Sequence, residues 1–133
     1  DQMEEAWKTT VALDPKFDHA GGHRTLGVLY RDAPGSPTSL GNRAKARQHL
    51  QKALELRPDY PGNRLSLLEA YAKWGEMKIV QEQARATEEF LKTARARLTG
   101  EEWDLDWQDW DKRWETIKAK CSVAPARSPR ESR

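Results

Sequence analysis

Apolar positions recur at intervals of three and four along most of this chain, the spacing that lines one face of an α-helix. The pattern is clearest in Val80, Ala84, Thr87, Leu91, Ala94 and Leu98, which predicts one long helix with a continuous buried stripe. A second stripe of Trp103, Trp107, Trp110, Trp114 and Ile117 predicts a further helix. Its opposite face carries Glu101, Glu102, Asp104, Asp106, Asp109 and Asp111, and Lys112, Arg113, Lys118 and Lys120 follow. Acid first and base last suits the helix dipole. Thr99-Gly100-Glu101-Glu102 reads as a capping box for it, with Thr99 as cap and Glu102 reaching back. Nearer the start, Gln2 to Leu13 places Met3, Ala6, Thr10 and Leu13 on one stripe, and Asp14-Pro15 ends it. A helix from His23 to about Arg31 turns Leu26, Leu29 and Tyr30 inward. Asn42 caps a helix from Arg43 to Leu56. Another runs from about Asn63 to Trp74, with Gly75 in the left-handed position just past its end. His19-Ala20-Gly21-Gly22, the stretch from Ala33 to Gly41, and Tyr60 to Asn63 read as loops. Ser122 to Arg133 is rich in Pro, Ser and Arg and reads as a disordered tail.

The helices contain a repeat. Thr10 to Phe17 and Ala53 to Tyr60 both read small, aliphatic, any, Leu, charged, Pro, charged, aromatic. Leu26, Gly27 and Tyr30 match the L-G-x-x-Y part of a tetratricopeptide repeat, and Ala46, Leu50, Ala53 and Pro58 match its second helix. The predicted fold is therefore all-α: a tetratricopeptide-like helical repeat, an α-α superhelix, over residues 1–121, with a Trp-rich capping helix at its C-terminal end and the tail 122–133 outside it. A repeat helix pair does not bury its apolar face alone, and stacking leaves an exposed, often concave surface for binding. About nine positions separate the repeat tyrosine from the next motif alanine in the consensus, whereas Tyr30 and Ala46 are further apart, so about seven residues are inserted. Insertions in solenoids map to loops, often on the binding face.

Composition narrows the function classes. One third of the residues are charged and the mean hydropathy is −0.95. No segment approaches the ~18 consecutive apolar residues of a membrane span. Basic and acidic residues nearly balance, 23 against 21, which argues against a nucleic-acid module. The one cysteine, Cys121, excludes an internal disulfide. No phosphate loop, nucleophile elbow or Cys-His-Asn arrangement is present, so no enzyme and no cofactor is expected. His19 and His23 are four apart, but Gly21-Gly22 between them points to loop or surface histidines, not a metal site. The acids of 101–111 and the basic run from Arg43 to Lys52 read as solvated helix faces. The tryptophan stripe reads as packing of a terminal helix, with a subunit or partner interface as the alternative. Trp7 and Trp74 are expected in the core or groove.

The repeat register also selects the candidate site. If Leu26, Gly27 and Tyr30 face the core, Arg24, Val28 and Arg31 line the inner side, and Leu65, Glu69 and Lys73 take those places in the second copy. That mixed surface suits an acidic ligand or partner surface through the arginine fork. Intrahelical pairing of Glu69 with Lys73 is the equal alternative. Ser36, in the insertion, and Asn63 and Arg64 complete the candidate ligand- or partner-binding residues, with Asn63 also a candidate helix cap.

Three strings resemble a particular lineage: Gly22 to Gly35 (GHRTLGVLYRDAPG), Gly41 to Ala46 (GNRAKA) and Pro58 to Leu65 (PDYPGNRL). Over roughly residues 10 to 75 they look like the signatures of the TatT family of TRAP-transporter-associated tetratricopeptide proteins. The resemblance implies a bacterial periplasmic lipoprotein, helical throughout, that assists substrate uptake beside a solute-binding protein and oligomerises around a ligand-accessible pore. The expected function is thus a non-enzymatic binding or scaffold protein that takes a small ligand, a periplasmic solute-binding protein, or both. A lipid-anchored precursor and a homo-oligomer go with that expectation. The alternative is a general tetratricopeptide scaffold, with a cytoplasmic location, gripping a peptide or partner protein in its groove.

Overall fold

The computed structural model describes residues 2–13, 17–32 and 39–127. The described residues are helical with no strand: α1 (Gln2–Leu13), α2 (Phe17–Asp32), α3 (Ser39–Leu56), α4 (Pro61–Lys73) and α5 (Met77–Arg97), then a 3₁₀ turn (Glu101–Trp103) and α6 (Asp104–Arg127). The chain divides into two compact units, Asp1–Ala70 and Tyr71–Arg133, with the division inside α4.

In the first unit α2 packs on α1 and, antiparallel, on α3. Leu26 and Tyr30 of α2 are buried with Ala46, Leu50 and Ala53 of α3, and Leu65, Leu67 and Leu68 of α4 are buried as well. At Gly27 the helices α2 and α3 come close together: a Cβ there would lie 2.5 Å from Leu50 Cγ and 3.2 Å from the Leu50 backbone nitrogen. Any larger residue would push the two helices apart. Gly21 and Gly22, read from the sequence as a loop, are instead buried inside α2. A Cβ on Gly22 would meet Val11 Cγ2 at 2.8 Å, so Gly22 serves close helix packing, not a turn. The α1 face is correspondingly shifted. Trp7, Thr10 and Val11 are half-buried while Ala6 is exposed, and the side chains of Met3 and Leu13 lie outside the described residues.

Helix starts differ most from the sequence reading. Ser39, Leu40 and Gly41 already belong to α3, so Asn42 is inside the helix and does not cap it, and the predicted loop is shortened. The rest of that loop, 33–38, lies outside the described residues. Helix α4 begins at Pro61, not Asn63, because proline fits the first helical turn, where its missing N–H has no partner to lose. Pro58 follows the end of α3 as expected, and the Arg57 N–H closes that end on the Ala53 carbonyl at 3.0 Å.

The second unit opens on a Schellman motif. Gly75 takes φ +81°, its N–H donates to the Ala72 carbonyl at 3.2 Å, and the Glu76 N–H donates to the Tyr71 carbonyl at 2.8 Å. No atom lies within 4 Å of a Cβ placed on Gly75. Gly75→Ala should therefore act through backbone conformation alone and lower stability by about 1–2 kcal/mol. The shift of the urea midpoint followed by circular dichroism measures it.

Helix α5 buries Val80, Thr87, Leu91 and Ala94, and the two remaining members of its stripe, Ala84 and Leu98, are half-buried. The capping box at Thr99 does not form. Thr99 is exposed, Gly100 at φ +106° precedes the 3₁₀ turn, and no side chain caps it. The turn is closed by backbone alone, Trp103 N–H to the Gly100 carbonyl at 3.0 Å. Helix α6 continues to Arg127, so residues 122–127 are helical and not a disordered tail, while 128–133 lie outside the described residues.

The tryptophan stripe faces inward on α5. Trp107, Trp110, Trp114 and Ile117 are buried and Trp103 is half-buried. The Trp107 indole N–H donates to the Leu98 carbonyl at 2.9 Å, and that of Trp114 donates to Glu88 Oε1 at 2.9 Å. Trp107 and Trp110 meet edge-on with centroids 4.9 Å apart. The Arg95 guanidinium lies 4.2 Å from the Trp107 ring centroid and also reaches Asp111. The acidic residues opposite the tryptophans are solvated: Glu101 and Glu102 of the 3₁₀ turn and Asp104, Asp109 and Asp111 of α6 are exposed.

Candidate functional site

Of the α2 residues that the register turned to an inner surface, Arg24 and Arg31 reach α4 and meet protein groups there. Arg24 Nη1 donates to Asn63 Oδ1 at 2.9 Å and to the His19 carbonyl at 3.3 Å, and its guanidinium lies 4.9 Å from the Tyr60 ring centroid. One α-helical heptad further on, Arg31 Nη1 reaches the Ser66 carbonyl at 3.3 Å and Glu69 Oε1 at 3.4 Å, and its Nε donates to Asp32 at 3.0 Å. Glu69 thus answers an arginine of another helix. Val28 is half-buried between them in sequence.

Asn63 is the centre of this arrangement. It is 0% exposed. Its Nδ2 lies 2.9 Å from the His19 carbonyl, 3.1 Å from that of Arg57 and 3.3 Å from that of Ala53, while its Oδ1 accepts from Arg24. It therefore ties the start of α2 and the end of α3 to α4, and does not cap its own helix. His19, whose carbonyl is one of these acceptors, takes φ +55°, a conformation uncommon outside glycine, and its ring stacks on Tyr60 at 4.4 Å. Arg64 is half-buried, and burial lowers its guanidinium pKa. Lys73 is exposed and Ser36 lies outside the described residues.

The sequence reading missed a second cluster on the α3 side. His23 Nδ1 and His49 Nδ1 are 3.0 Å apart, so one ring carries the proton and the other accepts it. His23 is 8% exposed. The His49 ring stacks on Tyr30 with centroids 5.8 Å apart, and the Tyr30 hydroxyl donates to Glu4 of α1. That bond holds the Glu4 carboxyl down to about 2, and burial followed by the same bond pushes the Tyr30 hydroxyl up to about 12. His23 and His49 border a groove of about 480 Å³ with Arg47, Gln48, Gln51, Lys52 and Glu55. A larger groove in the second unit, about 720 Å³, lies between α5 and α6 and mixes Glu88, Asp111 and Glu115 with Lys92, Arg95 and Lys118.

Burial lowers the pKa of both histidines first, helped at His23 by His49 and Lys52, and at His49 by Lys8 and Lys45. The folded chain thus resists protons that the unfolded chain accepts below about pH 6.5. Stability should be full above that value and fall as pH drops toward 5, before the Glu4 carboxyl begins to titrate. Urea midpoints at these two pH values, compared with those of His49→Gln, check this. An equal fall in the variant would assign the loss elsewhere.

The described residues thus define an all-α chain with a buried polar hub and a paired-histidine groove. They gather no group of three or more His, Cys, Asp or Glu able to hold a metal ion, and no described helix is long and apolar enough to cross a membrane. No protein-family model matches the chain, and no curated protein is significantly similar to it.

Proposed function

We propose that this chain is a non-enzymatic binding scaffold built on tetratricopeptide-like helix pairs, and that it serves solute uptake in the manner its resemblance to the TatT family implies. The observation that carries the scaffold is the close approach of Gly27 to Leu50. The small residue of the L-G-x-x-Y motif sits against the second helix, and its companions Leu26, Tyr30, Ala46 and Ala53 are buried around it. Such helix pairs bind through surface left over after stacking, not through a catalytic pocket. The Ala33-Pro34-Gly35 and Asn63-Arg64-Leu65 strings of the sequence support the finer, family-like reading. Arg24 and Asn63 then serve as the floor of the binding face, and Val28, Arg31 and Glu69 as its surface. The proposed setting is the bacterial periplasm, with a lipid-anchored precursor, a homo-oligomeric state and a solute-binding protein as partner.

The test is native mass spectrometry of the purified chain, alone and with a TRAP-type solute-binding protein. A homo-oligomer and a stoichiometric complex are expected. A monomer that forms no complex at about 100 μM partner, weaker than ordinary transient recognition, overturns the family-like function. The scaffold reading has its own test, because Gly27→Leu should separate α2 from α3 and abolish cooperative unfolding of the first unit.

A further inference from the structure

We infer that His23 and His49 form a two-histidine site for one borderline divalent cation of the zinc, copper or nickel type. Two imidazole nitrogens bound to one such ion at about 2.0–2.1 Å, at angles from square to tetrahedral, lie roughly 2.9–3.4 Å apart. The Nδ1 atoms of this pair are already 3.0 Å apart. No backbone movement is needed to convert the shared proton into a shared metal. One ring exchanges its proton from Nδ1 to Nε2, and modest turns of both rings bring the Nδ1 lone pairs, which face each other across the hydrogen bond, onto the ion.

The rings are also held. His23 is buried, and His49 lies against Tyr30, whose hydroxyl is fixed by Glu4. Rigid supporting contacts of this kind orient metal ligands. Both histidines line an open groove, so the remaining coordination positions are accessible to water or to a further ligand. The neighbouring charge selects that ligand. Lys45 near His49, with Lys52 and Lys8, which pair with Glu55 and Glu4, surround the two rings with basic side chains that can hold a carboxylate bound to the ion. This inference does not depend on the proposed function.

The experiment is calorimetric titration of the full chain with Zn²⁺ alone at about pH 7.5, where both imidazoles are neutral. One Zn²⁺ per chain is expected, with Kd on the order of 10 μM, and about tenfold or greater weakening in either His23→Gln or His49→Gln. Added acetate should tighten binding. Imidazole ¹⁵N spectra of the wild-type chain decide the matter even if a variant fails to fold. Zn²⁺ should move the Nδ1 resonances of two of the three histidines and leave His19 in place. No binding at about 1 mM Zn²⁺, shifts at Nε2 or at His19, or folded variants that bind as the wild type does would each overturn the site.

Discussion

Asn63→Asp should destabilise the first unit by about 3–5 kcal/mol at neutral pH, the range for a buried charge left without adequate compensation. The substitution changes almost no volume. It replaces an amide whose two N–H bonds are shared among three carbonyl oxygens with a carboxylate that donates to none. Arg24 still faces one oxygen at 2.9 Å, but the other is forced against the carbonyls of His19, Ala53 and Arg57. Those carbonyls favour the protonated acid, so the folded-state pKa of the new side chain should rise above the free value. The variant should then regain stability as pH falls, because the neutral acid can donate again, and lose it as pH rises through that pKa. Urea midpoints at two pH values measure both effects. A loss below about 1 kcal/mol, the net worth of one ordinary hydrogen bond, would mean that Asn63 is not the tie its contacts describe.

Trp110→Ala should cost the second unit about 3–5 kcal/mol. Trp110 is 3% exposed, meets Trp107 edge-on at 4.9 Å and lies 6.0 Å from Trp103. Removing it leaves a cavity that the rigid neighbours fill poorly, since the Trp107 indole is pinned to the Leu98 carbonyl and covered by Arg95. Far-ultraviolet circular dichroism in urea measures the loss without depending on the deleted fluorophore. Trp103→Ala should cost less, because Trp103 is only half-buried.

These two residues were not equally legible in the sequence. Trp110 was visible because helical period is a local signal: spacings of four, three and four put Trp103 to Trp114 on one face whatever they touch. Gly75 was visible for the same reason, since only its immediate neighbours decide where α4 ends. Asn63 was singled out, but as a ligand contact or cap. Its acceptors come from His19, Ala53 and Arg57, and no spacing rule reports where distant carbonyls converge. Gly21-Gly22 shows a true ambiguity, because a missing side chain serves a turn and a close helix contact alike. Thr99 and Asn42 failed as caps because polar residues near a helix start are common, and only geometry says which one lies at the end. The His23–His49 pair was hidden by its separation of 26 positions. The available clue was register: His23 lies one turn before Leu26, and His49 precedes Leu50, both at the antiparallel contact of α2 with α3.

The placement of the indoles separates what an optical probe will see. Five of the six tryptophans, Trp74, Trp103, Trp107, Trp110 and Trp114, belong to the unit from Tyr71 onward, and only Trp7 belongs to the other. Intrinsic emission therefore reports on the C-terminal unit almost alone, whereas backbone ellipticity weighs the helices of both. Superimposable denaturation curves from the two signals would mean that the halves unfold as one cooperative body. Curves that part would give each half its own midpoint from a single unlabelled sample, without cutting the chain.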